Sequence, residues 1–286
     1  MKANKTTIGF VFTNYFNSEI TKNAIQSIHQ NGNESNSSIV IVDNNSDKHN
    51  REILNETAKE YCNVHIIFND SNVGYFGGLN IGLKYLRKKG GNIRYIVIGN
   101  NDLIFPCDFI VSIHNNLKNI NKYAVISPNI ITLDGQHQNP HVINAISGFR
   151  EMIYDLYYSN YYVAKVIKYI ASITNQISDR RDEEQFNIAQ TITQGYGACY
   201  ILTPLFFDLY ESLWAPTFLM GEEYFLSKQL ESKKQKIFYE PTIIVKHQFH
   251  ASMDQIPRKK VWEISRDSHK VYSKFRKSGN KSNEDG

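Results

Sequence analysis

Cysteine is scarce in this chain. Cys62, Cys107 and Cys199 are odd in number and far apart. They offer neither a zinc-type nor a redox-type pair, and that usage suits a reducing compartment, the cytoplasm. Long apolar runs are missing too. No stretch approaches the roughly 18 apolar residues that cross a bilayer. The first apolar run, Ile8–Phe12, is shorter than a secretory signal core and turns polar at Thr13-Asn14-Tyr15, so no signal peptide is expected. Nor is there strong charge of one sign. A formal +4 over 286 residues suits anionic small molecules or a lipid surface and is too weak for a nucleic-acid binder. What remains is a globular composition, 41% hydrophobic and 21% charged, long enough for one large domain or two small ones. One bias stands out: six of the 18 tyrosines crowd between Tyr154 and Tyr169, which marks that stretch for separate attention.

The first 130 residues or so alternate regularly. Strand-like runs at Ile8–Phe12, Ile39–Val42, Val64–Phe68, Tyr95–Ile98 and Ala124–Ile126 are separated by helix-like segments at Glu19–Gln30, Asn50–Tyr61, Phe76–Lys89 and Pro106–Leu117. This order predicts a mostly parallel central sheet with right-handed crossovers, flanked by helices. Ile53, Leu54, Thr57, Ala58 and Tyr61 share one helical face, and Pro106 suits a first helical turn, where no amide donor is needed. From Asp134 to Ala189 the pattern lapses into a turn, a long aromatic helix over Met152–Ile173 and the charge run Asp179–Glu184, read together as an insertion into one domain. A strand then follows within Gln194–Leu202, a helix from near Gly221, and a strand at Thr242–Val245. The polar tail from Ser278 onward is expected to be disordered.

The most informative stretch is Gly99-Asn100-Asn101-Asp102, directly after the buried-strand run Tyr95–Ile98. Open α/β sheets bind ligands at the carboxyl ends of their strands. A carboxylate flanked by amides at that place offers hard oxygen ligands for a divalent cation. The plainer reading is an Asn/Asp turn. Asp43, ending the second strand in Asp43-Asn44-Asn45-Ser46, can accept hydrogen bonds from a base or ribose, or else cap the next helix. Asn72-Val73-Gly74 through Gly77-Gly78-Leu79-Asn80-Ile81-Gly82 is glycine-rich but follows the third strand with the wrong spacing for a dinucleotide fingerprint, which disfavours NAD. Gly82 reads as a glycine that lets its helix lie close to the sheet. Glu222 and Glu223 are adjacent acids at a helix start. They suit the macrodipole there, and their side chains diverge by about 100°, so their roles should differ. His247 and His250 lie just past a strand that should join the same rim as Asp102.

Taken together these residues resemble the family-2 glycosyltransferases of GT-A fold, and more narrowly the bacterial rhamnosyltransferase-like enzymes that build surface polysaccharides such as O-antigen and capsule. The carriers are Phe12-Thr13-Asn14, Val42–Ser46, Asn72–Gly82, Gly99–Asp102, Gly197-Ala198-Cys199, Gly221-Glu222-Glu223 and His247 with His250-Ala251-Ser252. The resemblance implies a GT-A-like, Rossmann-like α/β fold and an inverting transfer from a UDP- or dTDP-linked sugar. The acceptor would be a glycan or a polyprenyl-diphosphate-linked oligosaccharide. Thr13 and Asp43 would hold the nucleoside, with Asn72, Gly74 and Gly78 on the base and diphosphate side; Asn14, Asn80, Asn100 and Asn101 complete the donor-binding set. Asp102 would bind Mg²⁺ or Mn²⁺ with His247 beside it and the leaving diphosphate. Glu223 would be the general base, and Glu222 would support its loop or touch the acceptor. Asn100 stands where relatives carry an acid, and Glu223 where many carry Asp.

The resemblance also divides the chain. Residues 6–133 form a nucleotide-sugar-binding half, 134–190 a helical insertion, 191–255 an acceptor and catalytic half, and 256–277 a basic C-terminal helix, with 1–277 as one domain. Lys165 and Lys168 interrupt the apolar spacing of 152–173, which suits either an interfacial membrane helix or a helix packed over the cleft or in a dimer. The basic stretch from Arg258 to Lys277 suits a solvated face with some attraction to anionic lipid, and Arg266 is a candidate for a diphosphate. A cytoplasmic enzyme peripheral to the membrane follows. The rivals are a sugar-nucleotide pyrophosphorylase, disfavoured because no basic triphosphate loop follows the first strand, and a degenerate sugar-nucleotide-binding scaffold.

Overall fold

The computed structural model describes residues 7–30, 37–90, 92–174, 182–248 and 258–281. The amino-terminal part is β1 (Thr7–Asn14), α1 (Ser18–His29), β2 (Ser37–Asp43), α2 (Lys48–Glu60), β3 (Val64–Phe68), α3 (Tyr75–Lys89), β4 (Ile93–Asn100), β5 (Leu103–Ile104), α4 (Phe109–Ile120) and β6 (Val125–Thr132). Two helices, α5 (Gly148–Ser159) and α6 (Tyr161–Thr174), and a 3₁₀ turn follow. The chain then runs through β7 (Gln190–Ile192), β8 (Cys199–Leu202), α7 (Pro204–Leu209), α8 (Glu222–Glu231), β9 (Ile237–His247) and α9 (Arg258–Lys281).

The strands form one sheet in the order β3-β2-β1-β4-β8-β6-β9-β5, with β7 also on β9. The expected parallel crossovers hold from β3 to β4. Beyond β4 the sheet is mixed, because β8 enters antiparallel between β4 and β6 while β6 and β9 run parallel. Strand alternation sends side chains to two helical layers. Phe10, Phe12, Ile39, Ile41 and Val97 join one core with Ile25, Leu54 and Phe109 from α1, α2 and α4. Val11, Val40, Val42, Ile96 and Ile98 join the other with Phe76, Leu79, Leu83 and Leu226 from α3 and α8. β1 has β2 on one side and β4 on the other, so crossovers leave it in opposite directions and a crevice opens at its carboxyl end.

Several local expectations need correction. Pro106 precedes its helix: Phe109 begins α4, and its amide donates to the Pro106 carbonyl. The single long helix over Met152–Ile173 is two, broken at Asn160, whose backbone is extended and whose Oδ1 accepts from the Tyr162 amide at 2.8 Å. β8 and β9 are respectively shorter and longer than expected. α9 continues through Lys281, past the Ser278 boundary. The expected tail from 282 onward, and residues 179–181 of the charge run, lie outside the described residues.

Candidate active site

The short strand β5 positions Asp102. Leu103 pairs with His247 across the β5–β9 ladder, and the Gln248 amide donates to the Asp102 carbonyl at 2.9 Å. That register brings His247 Nε2 to 3.1 Å from Asp102 Oδ1, with side chains only 3% and 6% exposed. His247 Nδ1 lies 2.7 Å from Gln138 Oε1. With the amide in this orientation, the ring proton belongs on Nδ1 and the Nε2 lone pair faces the carboxylate. Asp102 Oδ1 is a buried oxygen that receives no hydrogen bond among the described residues.

Two facing lone-pair donors suit a shared cation. Adjacent ligands of an octahedral ion with bonds of about 2.1 Å stand about 3 Å apart, which is the separation found here. A histidine whose second nitrogen is held by a carbonyl-type oxygen is the usual support for such a ligand. The pair therefore fits Mg²⁺ or Mn²⁺. Among the described residues no cluster of three or more His, Cys, Asp and Glu forms, so a bound diphosphate and water would have to complete the shell.

The amide side chain of Asn101 faces inward. Asn101 Nδ2 donates to Thr21 Oγ1 at 2.6 Å and to Asn17 Oδ1 at 2.7 Å. Thr21 Oγ1 in turn donates to Asn14 Oδ1 at 2.7 Å, and Asn14 Nδ2 donates to Asp43 Oδ1 at 2.8 Å. Asp43 is fully buried, and its Oδ2 accepts from the Ser46 amide at 3.0 Å and Arg51 Nε at 3.1 Å. Asn14, Asn101 and Asp43 thus tie the ends of β1, β2 and β4 together, and their polar atoms are engaged within the protein. Thr13 and Asn100 are half-buried at the same rim, and the Asn100 amide donates to the Ala198 carbonyl at 2.9 Å.

The glycine-rich stretch from Asn72 into α3 serves several local roles. Gly74 has φ +81°, and a Cβ there would stand 2.1 Å from the Phe218 carbonyl oxygen. Asn72 Oδ1 accepts from the Gly74 amide at 2.9 Å, holding this turn. Gly78 lets α3 approach Thr13 and Asn44, 2.6 and 3.2 Å from its missing Cβ. Asn80 makes a reciprocal pair with the Leu213 backbone, 2.8 Å in both directions, so it pins the 210–220 loop to α3.

Glu222 and Glu223 occupy the first turn of α8 after Gly221, whose φ is +86°. Their roles diverge as the helical spacing implies. Glu222 is 5% exposed and its Oε1 receives no hydrogen bond among the described residues. Burial, and then the nearby Glu223 charge, push its carboxyl up to about 8. Glu223 is half-buried, and its carboxylate lies over Gly197. Tyr75, the first residue of α3, donates its hydroxyl to the Gly197 carbonyl at 2.9 Å. That hydroxyl is held well above its usual range by burial first, and then by its acidic neighbours, which disfavour the phenolate.

Arg266 lies elsewhere. It stacks on Trp262 at 5.3 Å, pairs with Asp267 at 3.1 Å, and lines two adjoining clefts of about 320 and 330 Å³ between α9 and the α5–α6 helices. His250, Ala251 and Ser252 lie outside the described residues. Three contributors escape sequence reading: Gln138, Tyr75 and the spatial role of Gly197. Gln138 falls in the stretch assigned to the insertion, yet that stretch runs back along β6, its amide donating to Ile130 at 2.8 Å. The run Gly197-Ala198-Cys199 was the one available signal for the third.

A model of the family described as glycosyl transferase family 2 matches residues 10–180. No curated protein matches the chain. Among solved structures, a mannosyltransferase from Pyrobaculum calidifontis in complex with GDP-Man and Mn²⁺ is similar at 9% identity and a TM-score of 0.54, over 86% of this chain and 58% of that one. GalNAc-T7 with UDP, GalNAc and Mn²⁺ is similar at 13% identity and 0.55, over 84% and 43%. S. aureus TarS 1-349 is similar at 10% identity and 0.52, over 84% and 60%. The chain thus spans between two fifths and three fifths of these structures, and at such identity the likeness is one of fold. With its GT-A-like α/β architecture and a family match over more than half its length, the chain belongs to glycosyl transferase family 2.

Proposed function

We propose that this protein is an inverting, metal-dependent glycosyltransferase that uses a nucleoside-diphosphate sugar. The observation that carries the reading is the buried pair of Asp102 and His247, 3.1 Å apart and backed by Gln138. Asp102 and His247 would hold Mg²⁺ or Mn²⁺, which when bound supplies positive charge against the donor diphosphate. Glu223 takes the proton from an acceptor hydroxyl as that oxygen attacks the anomeric carbon. The new carbon–oxygen bond forms as the bond to diphosphate breaks on the opposite face, which inverts the centre. The buried Glu222 keeps its proton at neutral pH, so it adds no second negative charge where the base must work. GDP-Man and UDP with GalNAc in the similar structures support a nucleotide-sugar donor.

The acceptor in this reading is a glycan or polyprenyl-diphosphate-linked oligosaccharide of bacterial surface polysaccharide synthesis, reached at the inner face of the cytoplasmic membrane. Support comes from exposed apolar side chains on α5 (Phe149, Met152, Leu156) and α6 (Tyr162, Val166, Ile173), interleaved with Lys165 and Lys168. Donor consumption should be followed with UDP-, dTDP- and GDP-sugars and Mn²⁺. In Glu223→Gln, nucleotide binding should persist while transfer falls by about 10²–10⁴. Asp102→Ala should lose the Mn²⁺ dependence. Near-normal turnover in the first variant would remove Glu223 as base; unchanged Mn²⁺-dependent turnover in the second would remove the metal assignment.

A further inference from the structure

Gly197 is buried in the turn that precedes β8. A Cβ built on it would stand 2.5 Å from Oε1, 3.0 Å from Cδ and 3.3 Å from Cγ of Glu223. Its φ lies outside the left-handed region, unlike those of Gly74 and Gly221, so the backbone there does not require glycine. What the missing side chain provides is room for the Glu223 carboxylate. The turn is tied on three sides. Tyr75 donates to the Gly197 carbonyl at 2.9 Å, the Asn100 amide to the Ala198 carbonyl at 2.9 Å, and Tyr200 to the Gly195 carbonyl at 2.7 Å. The Asn100 bond ties it to the segment that leads directly into Asp102.

We propose that Gly197 is a positioning residue whose missing side chain seats the Glu223 carboxylate at a set place relative to Asp102. The proposal rests on the reading of Glu223 as general base. Its physics separates stability from rate. A methyl at position 197 would meet the far end of a flexible side chain rather than backbone, so the carboxylate can yield without unfolding the turn. A displacement of about 1 Å at a reacting group nevertheless costs on the order of 10²-fold in rate.

The test is a double-mutant cycle on the full-length chain between Gly197→Ala and Glu223→Asp, with Glu223→Gln measured alongside. Gly197→Ala is expected to lower kcat about 10²-fold, leave donor KM and Mn²⁺ affinity within about twofold, and leave Tm almost unchanged. Glu223→Asp retracts the carboxylate by one methylene and removes the 2.5 Å contact. The double variant should therefore turn over about tenfold faster than Gly197→Ala alone, a recovery that a merely structural role would not produce. Wild-type kcat in Gly197→Ala, with Glu223→Gln inactive, overturns the proposal and leaves the base in place. Equal losses of kcat, donor binding and Tm without recovery in the double variant overturn it also, in favour of a structural glycine. An active Glu223→Gln instead overturns the base reading, and the proposal with it.

Discussion

At the residue scale, burial of one carboxyl beside another sets a pH response. Glu222 is raised to about 8 from an ordinary 4.5, with Glu223, Tyr75 and Tyr200 around it. An acid whose folded-state pKa is raised binds more protons folded than unfolded between those two values. Its contribution to stability is therefore present below about pH 4.5 and is lost as pH rises toward about 8. Glu222→Gln removes this loss. Its Tm relative to the parent should climb steadily from pH 5 to pH 8 and level off above, as read by thermal unfolding; a constant difference across that range would contradict an ionisable buried Glu222. His247 leads to a second residue-scale expectation. Gln138→Leu removes the acceptor for Nδ1–H, and Mn²⁺ affinity measured calorimetrically with a nucleoside diphosphate present should weaken about 10–100-fold. Unchanged affinity would detach Gln138 from the metal site.

At the element scale, the seating of α3 on the sheet decides whether the crevice keeps its shape. A Cβ at Gly82 would lie 2.3 Å from Val11 Cγ1 and 3.2 Å from Val42 Cγ2, both held in the core. Overpacking of this kind costs about 1–3 kcal/mol, against a gain of about 1 kcal/mol in helix propensity from replacing glycine. The net cost is up to about 2 kcal/mol, so Gly82→Ala should lower Tm by up to about 4 °C. Gly77→Ala, one turn nearer the start of α3, meets only the Val73 side chain at 3.4 Å and should hold or raise Tm. A drop in both would mean that helix geometry, and not contact with β1 and β2, sets the cost. The break between α5 and α6 has a different origin. Asn160 competes for the Tyr162 amide with its own side chain, an effect that apolar periodicity does not report.

At the scale of the whole molecule, one side of the fold combines exposed apolar side chains with cations. α6 has 14 residues, about 21 Å of helix, against a hydrocarbon core of about 30 Å. No helix among the described residues is long and apolar enough to cross a membrane. α6 suits a place in the interface plane, with Lys165 and Lys168 toward headgroups and exposed Arg258, Lys259 and Lys260 at the start of α9, where Lys259 and Tyr162 line one cleft. Full-length protein should float with phosphatidylcholine vesicles containing phosphatidylglycerol and not with phosphatidylcholine alone. Lys165→Glu with Lys168→Glu should weaken that binding at least tenfold, since each lysine near an anionic surface is worth about fivefold. Equal flotation of parent and variant would exclude α6 as the contact.

Apart from the two-residue β5, too short for any apolar pattern to reveal, the alternating strands and helices up to β6 were legible in the sequence, as were the strand-end and helix-start positions of Asp102, His247 and Glu223, because period-2 and period-3.6 patterns and strand-end polar residues are local properties. The direction of β8 was not, since it depends on which edge a strand meets after a long insertion. Nor was the division of labour at the rim. Asn14, Asn101 and Asp43 carry the residue types of a donor site, yet their hydrogen bonds are made to residues between three and 87 positions away, and only the folded chain shows that those groups are engaged. Local order of residues is enough to specify an α/β chain of glycosyl transferase family 2 with acids and a histidine at strand and helix ends. That Gln138 orients His247, that Gly197 makes room for Glu223 and that Arg266 faces the α5–α6 helices emerges from folding alone, because each is a contact between segments far apart in the chain, set by sheet register and helix seating.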